Sequence, residues 1–137
     1  MKIVLDSNVI VSALLSPHGL PARILNLVLN GSVTLIYDNC ILAEYINVLY
    51  REKFKINKES LNFVIDFIEK EGEYGIVVPQ DIKFADEDDK KIYELYKSED
   101  VEYLITGNKK HFPNEKGIVS PREFIEKGIK GKSGMRN

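Results

Sequence analysis

The chain has 137 residues, 44% of them hydrophobic and 29% charged, which suits one packed domain and excludes a disordered or low-complexity protein. Its net charge of −2 and pI near 5.7 demand no polyanionic partner, although a small acidic protein can still carry a local basic patch. A single cysteine, Cys40, excludes an internal disulfide framework and a thiolate zinc cluster, and without a signal-like start or a membrane-length apolar run the expectation is a cytoplasmic protein with no membrane partner.

In chain order, KIVLD opens as an apolar strand that stops on Asp6. Val9, Ile10, Ala13 and Leu14 then recur at helical spacing until SPHGLP breaks the pattern, and Pro21 suits the first turn of a second helix that Gly31 ends. VTLIY (33–37) reads as a strand, and Asp38-Asn39 as the N-cap of a helix through ILAEYINVLYR, with Ile41, Leu42, Tyr45 and Leu49 on one face. NKESLNFVIDFIEKEG reads as a helix capped by Asn57 and closed by Gly72, followed by the extended stretch YGIVVP. A helix from Asp88 to Ser98 leads to the strand EYLIT, which stops at Gly107-Asn108. The short extended piece GIV precedes SPREFIEKG, where Ser120, Pro121 and Glu123 compose a capping box with proline at the first helical position. The domain is expected over 1–127, with a flexible basic tail over 128–137.

Strands that alternate with helices and are apolar on both faces predict an α/β fold of three layers, a central parallel sheet flanked by helices. In such sheets ligands bind beyond the carboxyl ends of the strands, where Asp6 stands. With 21 acidic residues most must be surface charges, so a carboxylate matters only where the apolar pattern expects burial. Asp6 qualifies, its alternative role being that of a helix N-cap. Asp89 qualifies because it shares a helical stripe with Ile92, Tyr93 and Tyr96, where a carboxylate is costly unless paired or metal-bound. Glu87 and Asp88 are expected to project elsewhere as first-turn charges, with Glu87 able to pair with Lys91. Asp86 is ambiguous, and Glu44 at the edge of its helix's apolar face is by spacing alone more often a solvated flank than a site residue. Asn108 suits a positive-φ turn but also ends a buried strand. His18 and His111 have no second histidine or cysteine at ligand spacing and read as surface loop residues.

Taken in order, IVLDSNVIVSALLSPHGLPARIL, LAEYINVL, DEDDKKIYEL, YLITGNKKHF and SPREFIE resemble the PIN-domain ribonucleases, in particular the branch of toxins from toxin–antitoxin pairs. The resemblance runs over nearly the whole chain. It implies that Asp6, Glu44, Asp89 and the position of Asn108 hold Mg²⁺ or Mn²⁺ for cleavage of RNA, with Asp6, Glu44 and Asp89 catalytic. Asn8 is then expected to orient the Asp6 carboxylate, and Ser7 and Thr106 to support the turns. It also implies a cognate antitoxin partner and a homodimer. Leu14, Leu15, Leu20, Tyr45 and Leu49 could serve that interface or the core, with the core expected. Oxygen ligands suit these hard cations, which keep several waters.

The chain departs from the family where an acidic Thr-Gly-Asp-x-Asp is usual, reading Thr106-Gly107-Asn108-Lys109-Lys110. A neutral amide removes one negative charge and weakens metal affinity, leaving three carboxylates, with Asp86 as the candidate to compensate. Two readings therefore stay open: an active nuclease, or a degenerate domain that binds RNA or protein without cutting. A phosphatase of the haloacid dehalogenase type is disfavoured because Asn8 stands where a second Asp is needed, and a receiver-like domain gains no support from Glu44 or SPREF.

Overall fold

The computed structural model describes residues 1–98 and 100–129. Five strands, β1 (Lys2–Leu5), β2 (Thr34–Tyr37), β3 (Glu73–Tyr74), β4 (Tyr103–Ile105) and β5 (Ile118–Val119), form one sheet in the order β3-β2-β1-β4-β5, with every neighbouring pair parallel. Ile3, Val4 and Leu5 are consecutive and each is 0% exposed. Successive strand residues face opposite sides, so both faces of the sheet are covered. This is the three-layer α/β arrangement that the alternation of strands and helices predicts.

The covering elements are α1 (Ser7–Leu15), α2 (Leu20–Leu29), α3 (Asn39–Leu49), α4 (Lys58–Glu71), α5 (Glu87–Tyr96) and α6 (Pro121–Glu123), the last running on as a π-helical stretch over Phe124–Ile129. The starts of α3, α4, α5 and α6 are set by side chains satisfying amides that have no intrahelical partner. Asp38 accepts from the Ile41 amide at 2.8 Å, Asn57 from Glu59 and Ser60 at 2.8 and 3.2 Å, and Asp86 from Asp88 at 2.8 Å. The Ser120–Glu123 capping box forms in both directions. Tyr45 and Leu49 join the core as expected, Leu14 and Leu20 are half-buried, and Leu15 is exposed. None of the described helices is long and apolar enough to cross a membrane.

Chain direction across the sheet reverses between β1 and β4. From β1 the chain moves outward through β2 to β3, then returns past β1 to enter β4. The crevice at that switch, beyond the carboxyl ends of β1 and β4, is where an open α/β sheet binds ligands.

The stretch YGIVVP departs from the sequence reading. β3 stops at Tyr74, and Ile76 and Val78 stand 79% and 51% exposed. A Cβ on Gly75 would come within 2.7 Å of Ile36 Cγ2 and 2.8 Å of Leu95 Cδ1, so glycine alone fits where the chain leaves the sheet edge. From there the backbone crosses toward α5, and β-branched residues in this connection have no neighbouring strand to pair with. Of the tail expected over 128–137, Gly128 is buried against Phe124 and Ile129 closes the π-helical run, while 130–137 lie outside the described residues.

Candidate active site

Asp6 follows β1 directly, and its backbone amide is tied to the carbonyl of Ile105 in β4 at 3.0 Å. It occupies the N-cap position of α1 yet makes no side-chain capping bond. Its buried carboxylate instead accepts a hydrogen bond from Thr106 Oγ1 at 2.8 Å, and the Thr106 hydroxyl in turn accepts from the Asn108 amide at 3.0 Å. The chain of donors runs one way, so the hydroxyl proton is committed to Asp6. Burial raises the Asp6 pKa, while Thr106, the nearby Ser7 and Asn8 amides and His111 act in the opposite direction.

Glu44 is placed by its neighbour. Tyr45 on α3 is fully buried and donates its hydroxyl to the Leu5 carbonyl at the end of β1, which fixes α3 against the strand that delivers Asp6. Asp86, Asp88 and Asp89 arrive at the start of α5, and Asn108 and His111 on the turn after β4. Both segments are anchored by aromatic rings: Phe84 lies 5.4 Å from Tyr93 and 6.0 Å from Phe112 between ring centroids.

One cleft of about 590 Å³ takes in Asp6, Glu44, Asp89 and Asn108, so the residues expected from the sequence to act together do share a site. Asp86 and Ser7 line it as well. The carboxylates crowd one another. Asp89 is pushed up to about 6 by burial and then by Asp6 and Asp86, against the pull of His111, whose Nδ1 lies 3.5 Å from its Oδ2. Glu44 is raised by burial and then by Asp88, an effect that nearby Arg51 reduces.

Several expectations need correction. The Asn8 side chain does not hold the Asp6 carboxylate: its Oδ1 accepts from the Gly107 amide at 3.4 Å, and the Thr106 hydroxyl does the orienting, with the Asn8 amide contributing only from the backbone of the first turn of α1. Asp88 does not project away; it faces Glu44, since the first turn of α5 opens onto a concave cleft that neighbouring positions reach together. No ion pair joins Glu87 and Lys91 among the described residues. Asn108 has φ −129°, so no left-handed turn explains it, and an aspartate would fit that backbone equally well. His111, read as a loop residue, is exposed but belongs to the site through Asp89, brought back beside Asn108 by a single 3₁₀ turn, Lys109–His111. Arg51 and Phe54 also line the cleft and carried no periodic signal, lying in REKF just past the end of α3.

The donor set is oxygen-rich, only partly compensated by His111 and Arg51, and at a strand end. Among the described residues no three His, Cys, Asp or Glu side chains stand close enough to cage an ion unaided. Magnesium does not require such a cage, being held through one or two carboxylates with several waters retained. The residues present therefore fit a hydrated hard cation.

A sequence model of the PIN domain family matches residues 2–110. The chain belongs to the PIN domain family. The PIN domain is a nuclease-type fold, and the match spans the lining of the cleft from Asp6 to Asn108, ending one residue before His111. The chain is also 27% identical over 113 residues to an uncharacterized protein of Methanocaldococcus jannaschii, covering 80% of this chain and 72% of that one. No solved structure matches it significantly.

Proposed function

We propose that this PIN domain is a Mg²⁺- or Mn²⁺-dependent endoribonuclease acting on single-stranded RNA. The observation that carries the reading is the gathering of Asp6, Glu44, Asp88 and Asp89 in one cleft, with the pKa values of Asp6, Glu44 and Asp89 raised by burial and those of Glu44 and Asp89 raised further by neighbouring carboxylates. Such a cluster is unfavourable until a cation neutralises it. Asp6, Asp89 and Glu44 would hold the ion, in part through its retained waters, with the Asn108 carbonyl as a weaker ligand and Asp86, already capping α5, in reserve. A bound divalent ion supplies positive charge to the phosphodiester and makes water acidic enough to attack it.

The chain's own residues supply the rest. Thr106 fixes the rotamer of Asp6, so the carboxylate enters the reaction without reorganising. Arg51 and His111 place cationic or neutral donors at the rim, where a phosphate oxygen needs partners. Resemblance adds a physiological role to this proposal: a toxin restrained by a small antitoxin and paired with a second copy of itself. Asn108 in place of an acid favours the second reading, a domain that binds RNA without cutting it.

Incubating the purified protein with single-stranded RNA and Mn²⁺, beside Asp6→Asn, tests the activity. Cleavage by the wild type alone supports it, and equal background in both samples overturns it. Cleavage of DNA in preference to RNA would overturn the substrate. A strictly monomeric elution profile across a wide concentration range would remove the homodimer.

A further inference from the structure

The cleft has two unlike linings. Besides the carboxylates it is lined by apolar groups, Val11 and Leu15 on α1, Val48 on α3 and Phe54 in the 3₁₀ turn that follows (Glu52–Phe54); of these Val11 and Val48 are buried, Phe54 is half-buried and Leu15 is exposed. Leu15 is 49% exposed and so open to a ligand in the cleft. Two cations stand beside this apolar wall, with the exposed Glu52 between them in the chain. Lys53 Nζ sits 5.1 Å from the centroid of the Phe54 ring, and the Arg51 side chain borders the cleft without an ion pair to any described residue.

We propose that the wall of Val11, Leu15, Val48 and Phe54 is a subsite for one unpaired nucleobase, with Arg51 holding the phosphate beside it. The inference rests on the nuclease reading and extends it to how the strand is held. A nucleobase presents a flat apolar face and polar edges, which match a wall of aliphatic groups with an aromatic ring and open solvent at its margin. The phosphate flanking that base meets Arg51, whose planar fork suits phosphate oxygens, and the next phosphate falls toward the carboxylates of the same cleft. In a duplex the base face is already stacked and cannot reach the wall, so the subsite favours single strands. Arg51 and Lys53 attract the strand's phosphates and repel a cationic peptide, which separates this occupant from a protein segment drawn to the acids.

The test measures binding by fluorescence anisotropy with Mn²⁺ and a labelled ten-nucleotide phosphorothioate oligouridylate, beside the same backbone carrying abasic residues. Wild type is expected to bind the oligouridylate more tightly than the abasic strand. Phe54→Leu should lose on the order of tenfold in affinity for the oligouridylate and little for the abasic strand, while Phe54→Trp keeps wild-type affinity and shows that the fold survives a change at this position. Arg51→Gln should weaken both strands alike and flatten the salt dependence. If wild type binds both strands equally, or Phe54→Leu binds like wild type, the subsite is overturned and the nuclease reading stands. If wild type binds neither strand, both fall. If a Leu- and Arg-rich decapeptide binds wild type more tightly than the oligouridylate and loses that binding in Phe54→Leu, the wall is a protein-docking site and the proposal is wrong.

Discussion

Two sets of carboxylates in this molecule are built on opposite electrostatic plans. Glu115 accepts from the Tyr93 hydroxyl and from Lys97 Nζ, the latter at 2.9 Å, and its pKa is lowered. Glu123 receives Lys109 Nζ at 2.8 Å and the Ser120 amide at 2.9 Å, and is drawn down to about 2. In the cleft, Asp6, Glu44 and Asp89 are raised by burial, and Glu44 and Asp89 also by the carboxylates beside them. The chain can supply cations to its acids, since Lys97 and Lys109 do so nearby in sequence. Leaving the cleft short of them is a property of that place, and a site that must accept an external cation has to be left so.

The largest way to break this contrast is Asp6→Asn. It removes the most buried carboxylate of the cleft, so Mn²⁺ affinity and RNA cleavage should fall by at least about a hundredfold, read by calorimetry and cleavage assay. Without metal the variant should melt no lower than wild type, because the lost charge was repelled there. A substantial drop in the metal-free melting temperature would show that Asp6 is structural.

Opposite pH slopes should follow next in size. In the metal-free fold Asp89 binds its proton near pH 6 against an ordinary value of 3.8, so the folded state holds that proton more tightly than the unfolded one. Stability should therefore fall as pH rises from about 4 to 6, and Asp89→Asn should flatten that limb. Glu123 behaves in reverse: with a folded value of about 2 against 4.5, its contribution is present above about pH 4.5 and lost as pH falls toward 2. Glu123→Gln should flatten the acid limb alone. Thermal melts across pH 2–7 with EDTA would resolve the two, and identical profiles for both variants would dissolve the comparison.

Asn108→Asp sharpens the contrast by adding charge to the cleft on a backbone that tolerates it. Mn²⁺ should bind about three- to tenfold more tightly, any weak cleavage should rise, and the metal-free melting temperature should drop slightly. Unchanged affinity, melting and cleavage would show that the position is outside the metal's reach. The smallest effect belongs to the paired region. Ser120→Ala should cost about 1 kcal/mol through the lost cap, roughly 2–5 °C in melting, with cleavage unchanged.

What could be read from the chain alone follows from which forces are local. β1 and the strand segments of VTLIY and EYLIT stand out because apolar runs end on polar residues, and the helices because their periodicity and caps lie within a few residues of one another. Asp6 and Asp89 are visible for the same reason, each a charge set among apolar neighbours. Asp88, Arg51, Phe54 and His111 were not legible, since their membership of the cleft is decided by how α3, α5 and the β4 turn meet, which no short window encodes. Asn8 was assigned the work of Thr106, a residue 100 positions from Asp6 in the chain that only the pairing of β1 with β4 brings alongside. YGIVVP has strand composition without a strand's neighbour on the far side, a tertiary fact that propensity cannot see.

The solvent-facing crossing at 76–79 has a consequence for how this molecule could be divided. It separates an N-terminal piece carrying β1, β2, Asp6 and Glu44 from a C-terminal piece carrying β4, Asp89, Thr106 and Asn108. The seam between the pieces runs down the middle of the sheet, where β1 and β4 exchange main-chain hydrogen bonds and Thr106 reaches Asp6. Neither piece owns the cleft. Two separately expressed fragments cut there would regain metal binding only by docking along that seam, so the acid cluster would act as its own reporter of reassembly.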